Sequence, residues 1–128
     1  MNKTLWQATF KPELTVSREV AKHALPYFEP KKHMGVRLSC DEMLTNIVMY
    51  SGATSVEVQV IGQEDEKLIR LIDDGIPYDP VTAEPIERDF DDLDQGGMGI
   101  SLVKHSCDGM DYARLGDKNV LTLHFKPA

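Results

Sequence analysis

The sequence predicts an α+β domain: a two-layer sandwich with three helices on one face of a mostly antiparallel mixed sheet of about five strands. Three observations carry this. Residues 56–72 and 110–125 each read as strand, short polar turn and strand, the pattern of a hairpin. Residues 16–28, 32–50 and 98–107 place apolar side chains at helical spacing. Hairpins set between helices, without the regular alternation of a parallel sheet, favour helices packed against one side of an antiparallel one.

The first strand is predicted over 5–10, where Trp6, Ala8 and Phe10 alternate with Gln7 and Thr9. Pro12 and Glu13 break it. Val16, Val20, Ala21, Ala24 and Phe28 then recur at the spacing of a helix, with Thr15 in the N-cap position. Pro26 kinks or ends that helix, and Pro30 separates it from the next element. A second helix follows over 32–50, with Val36, Cys40, Met43, Leu44, Ile47 and Val48 as its apolar stripe and Ser51-Gly52 as its end. Val56, Val58 and Val60 alternate with Glu57 and Gln59 in a half-buried strand; 62–66 is a polar turn and 68–72 the returning strand. Residues 73–97 hold Gly75, Pro77, Pro80, Pro85, Gly96, Gly97 and a crowd of acidic side chains, and a loop of that length inside a compact domain is usually functional or disordered. Helical spacing resumes over 98–107. The chain closes on a hairpin of 110–115 and 120–125 around a turn at Gly116-Asp117-Lys118-Asn119, with Leu121, Leu123 and Phe125 on one face.

A chain of 128 residues has room for one domain, spanning 1–128, and can form a core without metal or disulfide staples. Its 41% hydrophobic and 27% charged content is that of an ordinary soluble protein. No apolar run approaches the roughly 20 residues that span a bilayer, and the N-terminus lacks the features of a secretion signal. The expected location is the cytoplasm, with no membrane partner. A formal net charge of −7 argues against direct binding of nucleic acid, which draws on clustered Lys and Arg. It leaves phosphate ligands open, because backbone N–H groups, a helix N-terminus and a divalent cation can hold them. Cys40, Cys107 and the four histidines show no metal-ligand spacing, so core packing is expected for the thiols and a surface or hydrogen-bonded role for the imidazoles. No glycine motif joins a strand to a helix as Rossmann and P-loop folds require.

Three clusters carry chemistry. Glu42 and Asn46 lie four residues apart, so they share one face of the 32–50 helix, projected nearly opposite the Val36, Cys40 and Ile47 stripe. On its own this reads as a solvated face. Asp73-Asp74-Gly75 follows a strand directly; a carboxylate there can accept from an exocyclic amine, and Gly75 permits close approach to the backbone. Alone, it reads equally well as a polar turn. Gly96-Gly97-Met98-Gly99-Ile100 opens a helix and frees N–H groups for an anion, although a glycine hinge would look the same.

In this order and on these elements, E-x-x-x-N, D-x-G and G-G-x-G-I resemble the N, G1 and G2 boxes of GHKL ATPases, which have the Bergerat fold. The acidic loop before the glycines and the run GGMGISLVKHSCDGMDY are similar to the anti-sigma factor serine/threonine kinase branch, and the likeness covers essentially the whole chain. The resemblance implies ATP and Mg²⁺ as cofactors. It implies Asn46 as the Mg²⁺ ligand, Asp73 on the adenine amino group with Gly75 allowing approach, and Gly97, Met98, Gly99 and Ile100 at the phosphates. It implies Glu42 as the catalytic base toward a substrate serine, a lid over about 80–96, an anti-anti-sigma (STAS-type) partner, a sigma factor as second partner, and a homodimer. Positioning and charge neutralisation suffice for phosphoryl transfer.

Two departures matter. Met49 stands where many relatives carry Lys or Arg; Lys104 is one candidate replacement cation, with a solvated surface lysine as the commoner reading of such a residue. Glu84, Glu87, Asp89, Asp91, Asp92 and Asp94 face Arg88 alone in the lid segment, which would repel polyphosphate at short range. A non-catalytic, nucleotide-dependent partner-switch module is therefore the alternative to a kinase.

Overall fold

In a computed structural model of the chain, which describes residues 2–81 and 103–127, five strands form one sheet. The elements are β1 (Lys3–Phe10), α1 (Val16–Ala24), two 3₁₀ turns (Leu25–Tyr27 and Pro30–Lys32), α2 (His33–Tyr50), β2 (Val56–Gly62), β3 (Lys67–Asp73), β4 (Gly109–Leu115) and β5 (Lys118–Phe125). Residues 103–106 are also helical. The spatial order is β1-β2-β3-β5-β4. All four pairings are antiparallel, so no parallel pair occurs among the described strands.

The sheet buries one face because its apolar rows line up across the register. Val58, Leu71 and Leu121 form one row, and Val60, Ile69 and Leu123 the next. Each is buried, and they join Val20, Ala24, Phe28, Val36, Cys40, Met43, Leu44 and Val103 in a single core. Helix α1 reaches the edge strand through Trp6, which stacks on His23 at 5.5 Å, while Tyr27 donates to the Leu5 carbonyl at 3.1 Å. Phe28 meets Phe125 edge-on at 5.5 Å and closes the far end. Among the described residues no helix is long and apolar enough to cross a membrane.

Three local expectations are refined. Thr15 is the N-cap residue of α1, as expected, but with φ −77° and ψ −9° its side chain makes no capping bond. Capping by a hydroxyl ordinarily requires extended backbone at that residue, and this one is already helical. Pro26 stands just past the end of α1, which closes at Ala24 as one of its two expected effects, and it sits in the 3₁₀ turn that follows, where its missing N–H costs nothing. The last turn is tighter than four residues: Leu115 pairs with Lys118, leaving Gly116 and Asp117 as a two-residue loop with φ +64° at Gly116. Asn119 therefore belongs to β5, where it is buried.

Candidate functional site

The site grows from the point where β3 leaves the sheet. Asp73 is the last residue of that strand and continues the inward-facing row of Ile69 and Leu71. Its register partners are Val56 on β2 and Asn119 on β5. The sheet thus places a carboxylate at the rim of an apolar core, only 5% exposed. A buried carboxylate is costly unless its lone pairs are used. Oδ1 accepts from the Gly75 N–H at 2.9 Å and from Asn119 Nδ2 at 3.1 Å. Oδ2 receives no hydrogen bond from the described residues.

Gly75 is fixed by its lack of a side chain. A Cβ there would lie 2.6 Å from both Cβ and the carbonyl oxygen of Ser51. The same Ser51 carbonyl accepts from the Ile76 N–H at 2.9 Å, and Arg114 Nη1 holds the Gly75 carbonyl at 2.7 Å. Ser51 is in turn tied back onto α2, its hydroxyl donating to the Ile47 carbonyl at 2.6 Å. The loop after β3 is therefore seated on the C-terminal end of α2.

The two adjacent aspartates do different work. Asp74 turns outward and anchors the start of β2, accepting from Thr54 N at 2.7 Å, Ser55 N at 3.1 Å and the Thr54 hydroxyl. The Thr54 hydroxyl, then the Ser55 and Thr54 amides, pull its carboxyl down to about 2. Of the two, only Asp73 has a carboxylate oxygen without a hydrogen bond from the described residues.

Glu42 and Asn46 lie one turn apart on α2, and Asn46 is about 7.5 Å along the helix axis from Ser51. Both are half-buried, whereas Met34, Arg37, Thr45, Met49 and Tyr50 are the exposed positions. The pair therefore occupies a flank of the apolar stripe and not the side opposite it. Helical projection places Gly35 and Ser39 on that same flank, and a Cβ at Gly35 would meet the Ser106 carbonyl at 2.7 Å. Segment 103–106 thus packs against the same side of α2 that carries Glu42 and Asn46. Val48, expected in the stripe, is only half-buried. Burial, then the charge of Asp41, raises the Glu42 carboxyl above its ordinary value.

Gly97, Met98, Gly99 and Ile100 lie outside the described residues, as does the lid segment beyond Val81. Met49 is 55% exposed. Lys104 donates to the Val81 carbonyl at 3.2 Å from an exposed position. Among the described residues no group of three or more His, Cys, Asp or Glu is arranged to hold a metal. Cys40 is buried, and burial followed by the Asp41 charge pushes its thiol up to about 12, as core packing requires.

Sequence reasoning missed Asn119, Tyr112 and Arg114. Asn119 Nδ2 also donates to the Ile76 carbonyl at 2.8 Å, and the Tyr112 hydroxyl donates to Asn119 Oδ1 at 2.5 Å. The available signal was hairpin length: a two-residue loop at Gly116-Asp117 would have moved Asn119 into the strand.

Residues 11–125 match the family described as histidine kinase-like ATPase domain. The chain is 30% identical, over an alignment of 129 positions, to the serine/threonine-protein kinase BtrW of Bordetella bronchiseptica, covering 87% of this chain and 89% of that protein. Among solved structures it resembles the histidine kinase AdeS of Acinetobacter baumannii with a TM-score of 0.54 at 15% identity, covering 95% of this chain and 68% of that one. At that identity the likeness concerns the fold alone.

Proposed function

The chain belongs to the histidine kinase-like ATPase domain family, and on that premise we propose that it is an ATP-dependent protein-serine kinase and anti-sigma factor. Its substrate in this reading is a small anti-anti-sigma protein of the STAS type. By exchanging that partner for a sigma factor, it regulates transcription in the cytoplasm, working as a homodimer. The observation that carries nucleotide binding is the half-used carboxylate of Asp73, buried at the sheet rim with one oxygen open. An exocyclic amine donates what that oxygen lacks. The relative named a serine/threonine-protein kinase supports a protein hydroxyl as acceptor.

In this reading each residue has one task. Asp73 Oδ2 accepts from the adenine amino group, and bare Gly75 keeps the loop seated on Ser51 so that the base can approach. The Asn46 amide oxygen is the protein's ligand to Mg²⁺, a cation that takes few protein oxygens and completes its shell with phosphate and water. Mg²⁺ supplies neutralisation of phosphate charge when bound. Backbone N–H groups of Gly97, Met98, Gly99 and Ile100 hold phosphate at a helix N-terminus. Glu42 accepts the proton of the substrate serine, and its raised carboxyl makes it a stronger base than an ordinary glutamate.

A second reading, a non-catalytic nucleotide-dependent binding module, is favoured by exposed Met49 and by Lys104 being engaged with Val81. Incubating the protein with radiolabelled MgATP and a STAS-domain protein from the same genome separates the two. Serine labelling that disappears in both Glu42→Gln and Asn46→Ala is the result expected of the kinase. ATP binding without labelling by the wild type leaves the module, and no nucleotide binding overturns both.

A further inference from the structure

We propose that Tyr112 and Asn119 form a positioning relay that sets the base specificity of the site, by holding the Asp73 carboxylate in one orientation. This rests on the reading of Asp73 as the acceptor for the base amine. Neither residue reaches the open Oδ2; both act through the other side of the carboxylate.

The amide orientation of Asn119 follows from what surrounds it. Its Nδ2 faces two oxygens that can only accept, Asp73 Oδ1 at 3.1 Å and the Ile76 carbonyl at 2.8 Å. Two protons on one nitrogen satisfy both, whereas the reversed amide would set oxygen against oxygen twice. The Tyr112 hydroxyl completes the arrangement by donating to Asn119 Oδ1 at 2.5 Å. Tyr112 and Asn119 can meet because they are diagonal neighbours on one face of the β4–β5 hairpin, where Tyr112 pairs with Leu121 and Arg114 with Asn119. Asn119 is 5% exposed, so little water competes for these bonds.

One consequence reaches the open oxygen. The hydrogen bonds into Oδ1 from Asn119 and from the Gly75 N–H fix the plane of the carboxylate, and with it the direction of the Oδ2 lone pairs. Oδ2 is then aimed to accept from a 6-amino group. Without the relay the carboxylate can rotate, and the preference for a 6-aminopurine fades.

Calorimetric titration of the full chain with Mg²⁺ and either ATP or purine riboside triphosphate, which lacks the 6-amino group, tests this. Wild type is expected to prefer ATP by roughly 10- to 150-fold, the range of a hydrogen bond to a charged acceptor. Asn119→Leu should reduce the preference to about threefold or less while leaving the affinity for purine riboside triphosphate within about threefold of wild type. Tyr112→Phe, which keeps the ring and removes one hydroxyl, should fall between. It decides the question by itself if Asn119→Leu does not fold. Variants that retain the wild-type preference, or that lose both nucleotides equally, overturn the relay while the Asp73 reading stands. A wild type that binds both nucleotides equally, or neither, overturns the Asp73 reading and the relay with it.

Discussion

Asp73 and Asn119 face each other as register partners on β3 and β5, and the Asn119 amide donates to one oxygen of the Asp73 carboxylate. Two residues 46 positions apart in sequence thus place a half-satisfied carboxylate at the end of an apolar row. A sheet built only for stability would put Val or Leu there, since an incompletely bonded buried carboxylate is a cost. Retaining that cost at a rim otherwise closed by α2 and the loop after β3 fits a position kept for a ligand.

Gly75→Ala should unseat that loop. The added methyl would lie 2.6 Å from the Ser51 carbonyl, the same oxygen that accepts from Ile76, so backbone and not only a side chain has to move. Overpacking of this kind costs about 1–3 kcal/mol, seen as a lower urea midpoint with an unchanged slope. Nucleotide affinity should fall by at least about tenfold, because the Gly75 N–H that orients Asp73 moves with the loop. Gly52→Ala is the control. Nothing lies within 4 Å of its Cβ position, but φ is +68°, so a strain of roughly 1–2 kcal/mol should appear without loss of nucleotide binding. Equal effects on binding in the two variants would remove the special role of Gly75.

Much of this was legible because periodicity reports burial. The α2 stripe and the two hairpins follow from which side chains must leave water, whereas Asp73, expected just after a strand, is the buried last residue of β3. What stayed hidden depends on register across long separations. Asn119 follows Gly-Asp-Lys and reads as turn material, and only the pairing of Leu115 with Lys118 turns it inward. Arg114 reaches Gly75 across 39 positions, and Asp74 fastens residues 54 and 55 from the far side of a hairpin. The flank position of Glu42 and Asn46 was missed for a related reason: a helical projection gives angles around one helix, not which neighbour packs where.

The kinase reading makes a pH prediction through Glu42. Burial first, and the neighbouring charge of Asp41 second, raise its carboxyl above the ordinary value of 4.5. A general base must be ionised, so the acidic limb of kcat/KM should lie above pH 4.5, and Asp41→Asn should move that limb to lower pH by removing the second cause. Glu42→Gln should lower kcat by about 10²- to 10⁴-fold. The stability sign is opposite. A carboxyl raised in the folded state favours the fold while protonated, and that contribution is lost as pH rises through the folded value. At pH 7 Glu42→Gln should therefore unfold at the same or a slightly higher urea concentration than wild type. Inactivity accompanied by a clear loss of stability would point to a structural glutamate.

The last prediction concerns the sheet itself. His124 on β5 is held between two carboxylates, Nδ1 at 3.0 Å from Glu66 and Nε2 at 2.5 Å from Asp111. A neutral imidazole has one N–H and satisfies one of them; the imidazolium satisfies both. Burial alone would lower its pKa, but the hydrogen bonds and charges of Glu66 and Asp111 together outweigh it, and the imidazole is raised above 6.5. For a cation raised on folding, the added stability is fully present below the unfolded value and is lost as pH rises through the folded one. Urea midpoints should therefore decline from about pH 6.5 upward, by a step that His124→Gln abolishes. Asp111, with its side chain 76% exposed, is screened more than Glu66 at 21%. Glu66→Gln should accordingly remove more of the step than Asp111→Asn. An unchanged pH dependence in His124→Gln would place the titrating group elsewhere.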